Sequence, residues 1–148
     1  MLLRIPSSIY TDMLAYCVEQ NPAEACGLLI SAAKSPHLIT ELLPLTNVSD
    51  TPEHAFTVDP EQWIKTLFTV EQQGSTITGL FHSHPYGAAL PSQADLRGLW
   101  HTVPSHWIIS LQHKQTPIVA AFRYEANGSF KHVAWQIVPS TVSSASSH

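Results

Sequence analysis

The stretch His82-Ser83-His84-Pro85 is followed, after a loop of mostly small residues, by Pro91-Ser92-Gln93-Ala94-Asp95. On a strand, residues i and i+2 face the same side, so the two imidazoles point together while Ser83 points away. Asp95 falls at the third position of a helix opened by Pro91-Ser92, where a carboxylate can turn back toward the strand end. Gly87-Ala88-Ala89 lets the connecting loop pass close by without bulky side chains. Two imidazoles and one carboxylate make three metal ligands from two rigid elements. Three protein ligands leave a fourth position for water, which separates catalytic zinc from structural zinc. The chemistry this points to is metal-activated hydrolysis.

Plainer readings compete. A His-x-His pair also suits a polar strand face, and Ser92-x-x-Asp95 suits a helix-capping pair whose carboxylate benefits from the helix dipole. Capping and ligation are compatible, because a capped helix end is a rigid platform. Capping leaves the His-Ser-His-Pro string unexplained, so the functional reading prevails. Hydrolysis also needs a proton shuttle, and Glu24 in Pro22-Ala23-Glu24-Ala25-Cys26-Gly27 is the candidate. A lone Glu ahead of a strand is more often a solvated loop residue, and its position alone does not promote it.

The elements that must position these residues follow from periodicity. Ile9, Tyr10, Met13, Leu14, Cys17 and Val18 predict an amphipathic helix over 7–20, stopped at Asn21-Pro22. Residues 26–31 and 37–45 read as strands, and Asn47 to His54 as a polar loop. Asp59-Pro60 opens a second helix, with Asp59 as N-cap, Gln62 completing a capping box and Gly74 as the stop. Residues 75–84 read as the strand ending at His84-Pro85. A short helix from Pro91-Ser92 is expected to run through Leu96, Leu99 and Trp100. Three further strands are expected over 106–112, 117–125 and 130–138, with turns at 113–116 and at Asn127-Gly128. The fold class is α/β: a single-domain sandwich with a mixed, partly antiparallel sheet flanked by helices. The domain is expected to span 1–138, with a Ser-rich flexible tail over 139–148.

Composition narrows the class. The chain has 148 residues, 44% hydrophobic and 12% charged, with a formal charge of −4, which fits one soluble globular domain. With no Lys/Arg cluster, nucleic acid is not an expected partner. No apolar run is long enough for a signal or a bilayer span, so a cytoplasmic protein without membrane attachment is expected. Cys17 and Cys26 make no disulfide framework, which suits reduced cytoplasmic thiols, and they are too few for a thiolate zinc site. Cys26 reads as a small buried hydrophobe.

Together these segments resemble the JAMM/MPN+ metalloprotease family, in particular its small stand-alone bacterial type. The family pattern of an upstream Glu, His-Ser/Thr-His-Pro and a Ser-x-x-Asp is filled by Glu24, His82, Ser83, His84, Pro85, Ser92 and Asp95. Asn47 and Phe56-Thr57-Val58-Asp59-Pro60 also match positions in such members. The resemblance implies a cytidine-deaminase-like sandwich. It implies one zinc ion on His82, His84 and Asp95, with a catalytic water as fourth ligand. It implies Glu24 as general base, later protonating the leaving amine, and Ser92 as donor to the developing oxyanion, while Ser83 and Pro85 hold strand and loop shape. The implied reaction is hydrolysis after the C-terminal Gly-Gly of a ubiquitin-like or sulfur-carrier protein. A slim glycine tail would lie in a groove against a sheet edge, with Tyr86 and Trp100 as candidate lining residues.

Three alternatives remain beside it. A RadC-like protein shares His-x-His-Pro and Ser-x-x-Asp, but the Pro-x-Glu-x-Cys-Gly segment and the absence of a helix-hairpin-helix extension disfavour it. A zinc nucleobase deaminase needs His-x-Glu and Pro-Cys-x-x-Cys, which this chain lacks. A non-enzymatic interaction module would carry a structural metal or none. The remaining histidines show no usable paired spacing.

Overall fold

Strand β4 (Ser75–His84) is the spine of the molecule, and its sequence alternates between two buried faces. The computed structural model describes residues 1–98 and 102–140. In chain order the remaining elements are β1 (Leu2–Pro6), α1 (Ser7–Gln20), β2 (Cys26–Ala32), β3 (Ile39–Leu45), α2 (Pro60–Gln72), α3 (Gln93–Arg97), β5 (His106–Ser110), β6 (Ile118–Tyr124), β7 (Phe130–His132) and β8 (Ala134–Val138). Six strands form one sheet in the order β3-β2-β4-β5-β6-β7. Only β4 and β5 pair in parallel within it, and the parallel step needs a crossover. The segment carrying α3 is that crossover, and it returns Asp95 to the strand from which His82 and His84 project. The expected mixed sheet flanked by helices is therefore present.

Burial on both faces explains why the central strands read as near-continuous apolar runs. On one face Phe81, Trp107, Ile109 and Leu29 pack against Met13 and Cys17 of α1. On the other, Leu28, Ile30 and Leu80 pack against Val70 of α2, and Ile108, Phe122 and Tyr124 pack toward Leu96 of α3. His82 and His84 belong to this second face.

Two departures from the sequence reading concern the edges. The segment 130–138 is two strands: β7 continues the main sheet through Phe122↔His132, and β8 pairs in parallel with β1 in a separate two-stranded sheet. The switch occurs at Val133, whose amide still donates to the Ala121 carbonyl at 2.9 Å. β1 itself was not expected, because five residues ahead of a helix carry little periodic signal. Trp135 of β8 stacks on Tyr10 of α1 with ring centroids 5.8 Å apart, so β8 extends the α1-side core.

The helix caps also differ in detail. Asp59 caps α2 by accepting from the Gln62 amide at 3.0 Å. The Gln62 side chain instead accepts from the Thr46 amide at 3.1 Å, tying α2 to the end of β3 and leaving the capping box half made. α3 ends at Arg97 with Gly98 as its cap; its expected continuation through Leu99 and Trp100 lies outside the described residues. Ser140 is anchored, accepting from the Ser8 amide at 2.8 Å, and the remainder of the expected tail lies outside the described residues. No helix among the described residues is long and apolar enough to cross a membrane.

Gly27 is required where β2 crosses the α1-side core. A Cβ there would meet the Phe81 ring and lie 2.8 Å from the Leu43 carbonyl oxygen. Because backbone on the β3 side cannot yield, Gly27→Ala should lower stability by about 1–3 kcal/mol, read as a drop in chemical-denaturation midpoint.

Candidate metal centre

The strand ladder sets the rows from which the site is built. Cys26, His82, Ile108 and Ala120 are successive partners across the sheet, and Leu80, His106 and Phe122 form the adjacent row. Against this floor, α3 presents Asp95 from its first turn. The His82 and His84 Nε2 atoms lie 3.0 Å apart. His82 Nε2 is 3.2 Å from Asp95 Oδ1, and His84 Nε2 is 3.2 Å from Asp95 Oδ2. Tetrahedral zinc with bonds of about 2.0–2.2 Å places its ligand atoms about 3.3–3.6 Å apart. Three donors already spaced close to that value fit such an ion.

Protonation chemistry agrees with the spacing. His84 Nδ1 faces the Ala88 carbonyl at 2.9 Å. A carbonyl only accepts, so Nδ1 carries the hydrogen and a neutral ring directs its Nε2 lone pair at the carboxylate. Metal-ligating histidines use their second nitrogen in this way. A lone pair facing a carboxylate repels it unless a cation lies between. Burial works against a charged His84, yet Asp95 and the Ala88 carbonyl outweigh it and raise its pKa above the ordinary value. Burial likewise opposes ionised Asp95, but His82, His84 and the Ser92 amide hold it well below the usual carboxylate range. The pocket is built around one positive charge, and these three residues could hold a metal.

Asp95 reaches this position through a capping box. Its amide donates to Ser92 Oγ at 3.0 Å, and the Ser92 amide donates back to Asp95 Oδ2 at 2.9 Å. The capping and ligation readings of Ser92-x-x-Asp95 thus coexist. Ser92 Oγ accepts from the Asp95 amide, which leaves its hydroxyl hydrogen available to donate.

Glu24, far away in sequence, lines the same cavity as His82, Ser92 and Asp95. It is buried, at 8% exposure. Burial raises its pKa above the ordinary glutamate value against the opposing pull of His82 and His84. Its backbone is held on both sides. The Glu24 amide donates to the Pro52 carbonyl at 2.6 Å, and Asn47 Nδ2 donates to the Glu24 carbonyl at 2.9 Å. The next residue, Ala25, exchanges two bonds with Ser83: its amide donates to Ser83 Oγ at 2.8 Å, and its carbonyl accepts from the Ser83 amide at 3.0 Å. Ser83 therefore holds shape, as expected, by locking the Glu24 segment onto β4.

Sequence reasoning matched Asn47 and Phe56 to the family without giving them a role, and it missed His54, His106 and Tyr124 as wall residues. Asn47 Nδ2 also donates to the Ala55 carbonyl at 2.9 Å, and Asn47 Oδ1 accepts from the Ser49 and Thr57 amides. One carboxamide thus knots the 47–57 loop beneath Glu24, and that loop carries His54, Ala55 and Phe56 into the cavity wall. Phe56 lies against His82 with ring centroids 4.9 Å apart. His106 and Tyr124 complete the wall, stacked at 3.8 Å and 8°. The strand order brings them there, which no local spacing reveals. Tyr86 lines an open groove beside Glu24, His84 and Ser92, and its hydroxyl donates to Glu53 at 2.5 Å. Trp100, the other expected groove residue, lies outside the described residues. Cys26 is fully buried, and burial followed by the charge of Glu24 pushes its thiol up to about 12, so it stays a neutral packing group.

The prokaryotic homologs of the JAB domain, taken as a family model, match residues 6–124. The chain belongs to this family. JAB-domain relatives extend the likeness. A protein of Thermus thermophilus named a probable TtuB-protein conjugate cleaving protease is 30% identical over 70% of this chain and 68% of its own length. A desampylase of Haloferax volcanii is 35% identical over 50% of this chain, spanning about half (52%) of that relative. The solution structure of protein DSY2949 from Desulfitobacterium hafniense superposes with a TM-score of 0.82 at 28% identity, over 95% of this chain and 94% of that one. The sequence resemblance to a small JAMM/MPN member is thereby established.

Two outcomes test the geometry. Zinc at a hundred times its Kd should add about 2.7 kcal/mol to stability, raising Tm by roughly 5–11 °C at ~2–4 °C per kcal/mol; His84→Ala should abolish that shift in a thermal melt. Asn47→Ala should leave several backbone groups unpaired and lower stability by about 1–3 kcal/mol, with faster amide exchange over 48–57.

Proposed function

We propose that this JAB-family protein is a zinc-dependent peptidase, cleaving after the C-terminal Gly-Gly of a ubiquitin-like or sulfur-carrier protein in the cytoplasm. The observation that carries the reading is the convergence of His82, His84 and Asp95 beside buried Glu24. The activities for which the relatives are named, conjugate cleavage and desampylation, support it from outside the chain. The deaminase-like kinship of the sandwich, and a functional domain spanning 1–138 followed by a Ser-rich tail, belong to the same reading.

In this reading His82, His84 and Asp95 hold the zinc, whose contribution is to polarise the scissile carbonyl and acidify a water. Glu24 accepts a proton from the attacking water as its oxygen adds to the glycine carbonyl carbon. Ser92 donates its free hydroxyl hydrogen to the oxygen of that carbonyl as negative charge develops. Glu24 then delivers its proton to the departing nitrogen as the C–N bond breaks, leaving a Gly-Gly carboxylate and a free amine. The raised pKa of Glu24 suits a group that must both take and return a proton. The open groove beside Tyr86, Glu53 and His54 is the approach for the slim tail.

Glu24→Gln tests the assignment with two independent readouts. Cleavage of a Gly-Gly-extended carrier, followed by mass spectrometry, should fall on the order of 10²–10⁴-fold. A carboxyl whose folded pKa exceeds its unfolded value loses stability as pH rises from the ordinary glutamate value through the raised one. The metal-free Glu24→Gln protein should therefore be more stable than the metal-free parent at pH 7 and no more stable at pH 3. Undiminished cleavage by the variant would remove Glu24 from the reaction.

A further inference from the structure

The cavity beside the cluster reaches past the proposed ligands, between Phe56, Leu80, Ala94 and the stacked pair His106–Tyr124. Its volume is about 120 Å³. The whole cavity, including the part against Glu24, His82 and Asp95, has room for several waters or for a short side chain beside the cluster. Tyr124 lines this cavity and is 5% exposed, and its buried hydroxyl meets no hydrogen-bond partner among the described residues. Stacking on His106 keeps the ring from swinging to seek one. Buried polar groups are almost always paired, and an exception marks a place where a bound group can complete the pairing. Burial, with Asp95 adding to it, holds the phenol above its ordinary pKa, so it remains a donor throughout the neutral range.

Under the proposed cleavage the acyl side of the scissile bond is glycine and has no side chain to place. A side-chain pocket at this site can serve only the residue on the other side. We propose that the cavity receives the side chain of the released residue, and that Tyr124 donates a hydrogen bond to it, selecting a small uncharged polar side chain bearing a hydroxyl, thiol or carboxamide. A carboxylate is disfavoured by Glu24, which lines the same cavity. This inference rests on the Gly-Gly hydrolase reading and specifies what is released.

The experiment uses a ubiquitin-like carrier ending in Gly-Gly and extended by one residue, in shape-matched pairs: Ser against Ala, Thr against Val, Asn against Leu. For the parent protein the polar member of each pair should have a kcat/KM roughly tenfold or more above its apolar partner, since a site built to bond a polar group discriminates against its absence. Tyr124→Phe should bring these ratios close to one. A structural role would slow both members alike and leave the ratios unchanged, overturning the inference, as would ratios near one in the parent. Parent protein that cuts no extended carrier overturns the hydrolase reading first, and the subsite with it. The ligand-free melt supplies a second check. Tyr124→Phe should be as stable as the parent or more so, because the hydroxyl has no partner to lose. A Tm lower by several degrees would reveal an internal partner and sink the proposal.

Discussion

Two imidazole nitrogens and a carboxylate, held within 3.2 Å of one another in a largely buried pocket, are stabilised by positive charge, whether a metal ion or protons on the imidazoles. The Ala88 carbonyl fixes the His84 tautomer, and that tautomer aims a lone pair at an anion. Everything around the site serves to keep these donors from relaxing apart. The imidazoles cannot withdraw, because alternate residues of β4 are locked into the opposite core. Asp95 cannot withdraw without unmaking the start of α3, since the same carboxylate closes the capping box. Exchanging this ligand for another type would therefore disturb the helix as well as the cation site.

Glu24 is placed by a different device. It belongs to no helix or strand, and its precision comes from backbone bonds made by its neighbours. Ser83 grips Ala25 on one side, and Asn47 and Pro52 grip Glu24 itself on the other. Ser83 lies between the two histidines in sequence and points away from them. The residue that spaces the imidazoles thus also sets the distance to the carboxyl. A buried, poorly solvated glutamate is unfavourable for the fold, and this density of backbone bonds opposes that penalty.

What could be read from sequence was local. The His-x-His alternation, Asp59 and Ser92 as helix starts, and Asp95 at the third helical position are decided within a few residues, and the structure places each there. Whatever depends on partners distant in the chain was not legible. Residues 130–138 have an unbroken strand pattern, yet Val133 separates two sheets because β8 finds β1, and β1 lies at the far end of the chain. Gln62 satisfies the capping-box pattern but turns to Thr46, which only the end of β3 brings near. His106 and Tyr124 have no motif of their own; the parallel pairing of β4 with β5 puts them beside His82. Glu24 had no local signal to raise it above a solvated loop residue, and family resemblance supplied what periodicity could not.

The pairing of β1 with β8 has a consequence for how the chain is made. Leu3 and Ile5 are fully buried, but the strand beside them, Ala134–Val138, is translated about 130 residues later. At ~5–20 residues per second a ribosome needs roughly 7–26 s to travel from one to the other. Throughout that interval the nascent chain carries an apolar first strand with an unsatisfied edge, while the sheet bearing the histidines is already being laid down. Closure of the α1 layer thus waits for residues 134–138, long after the sheet bearing the histidines has begun to form.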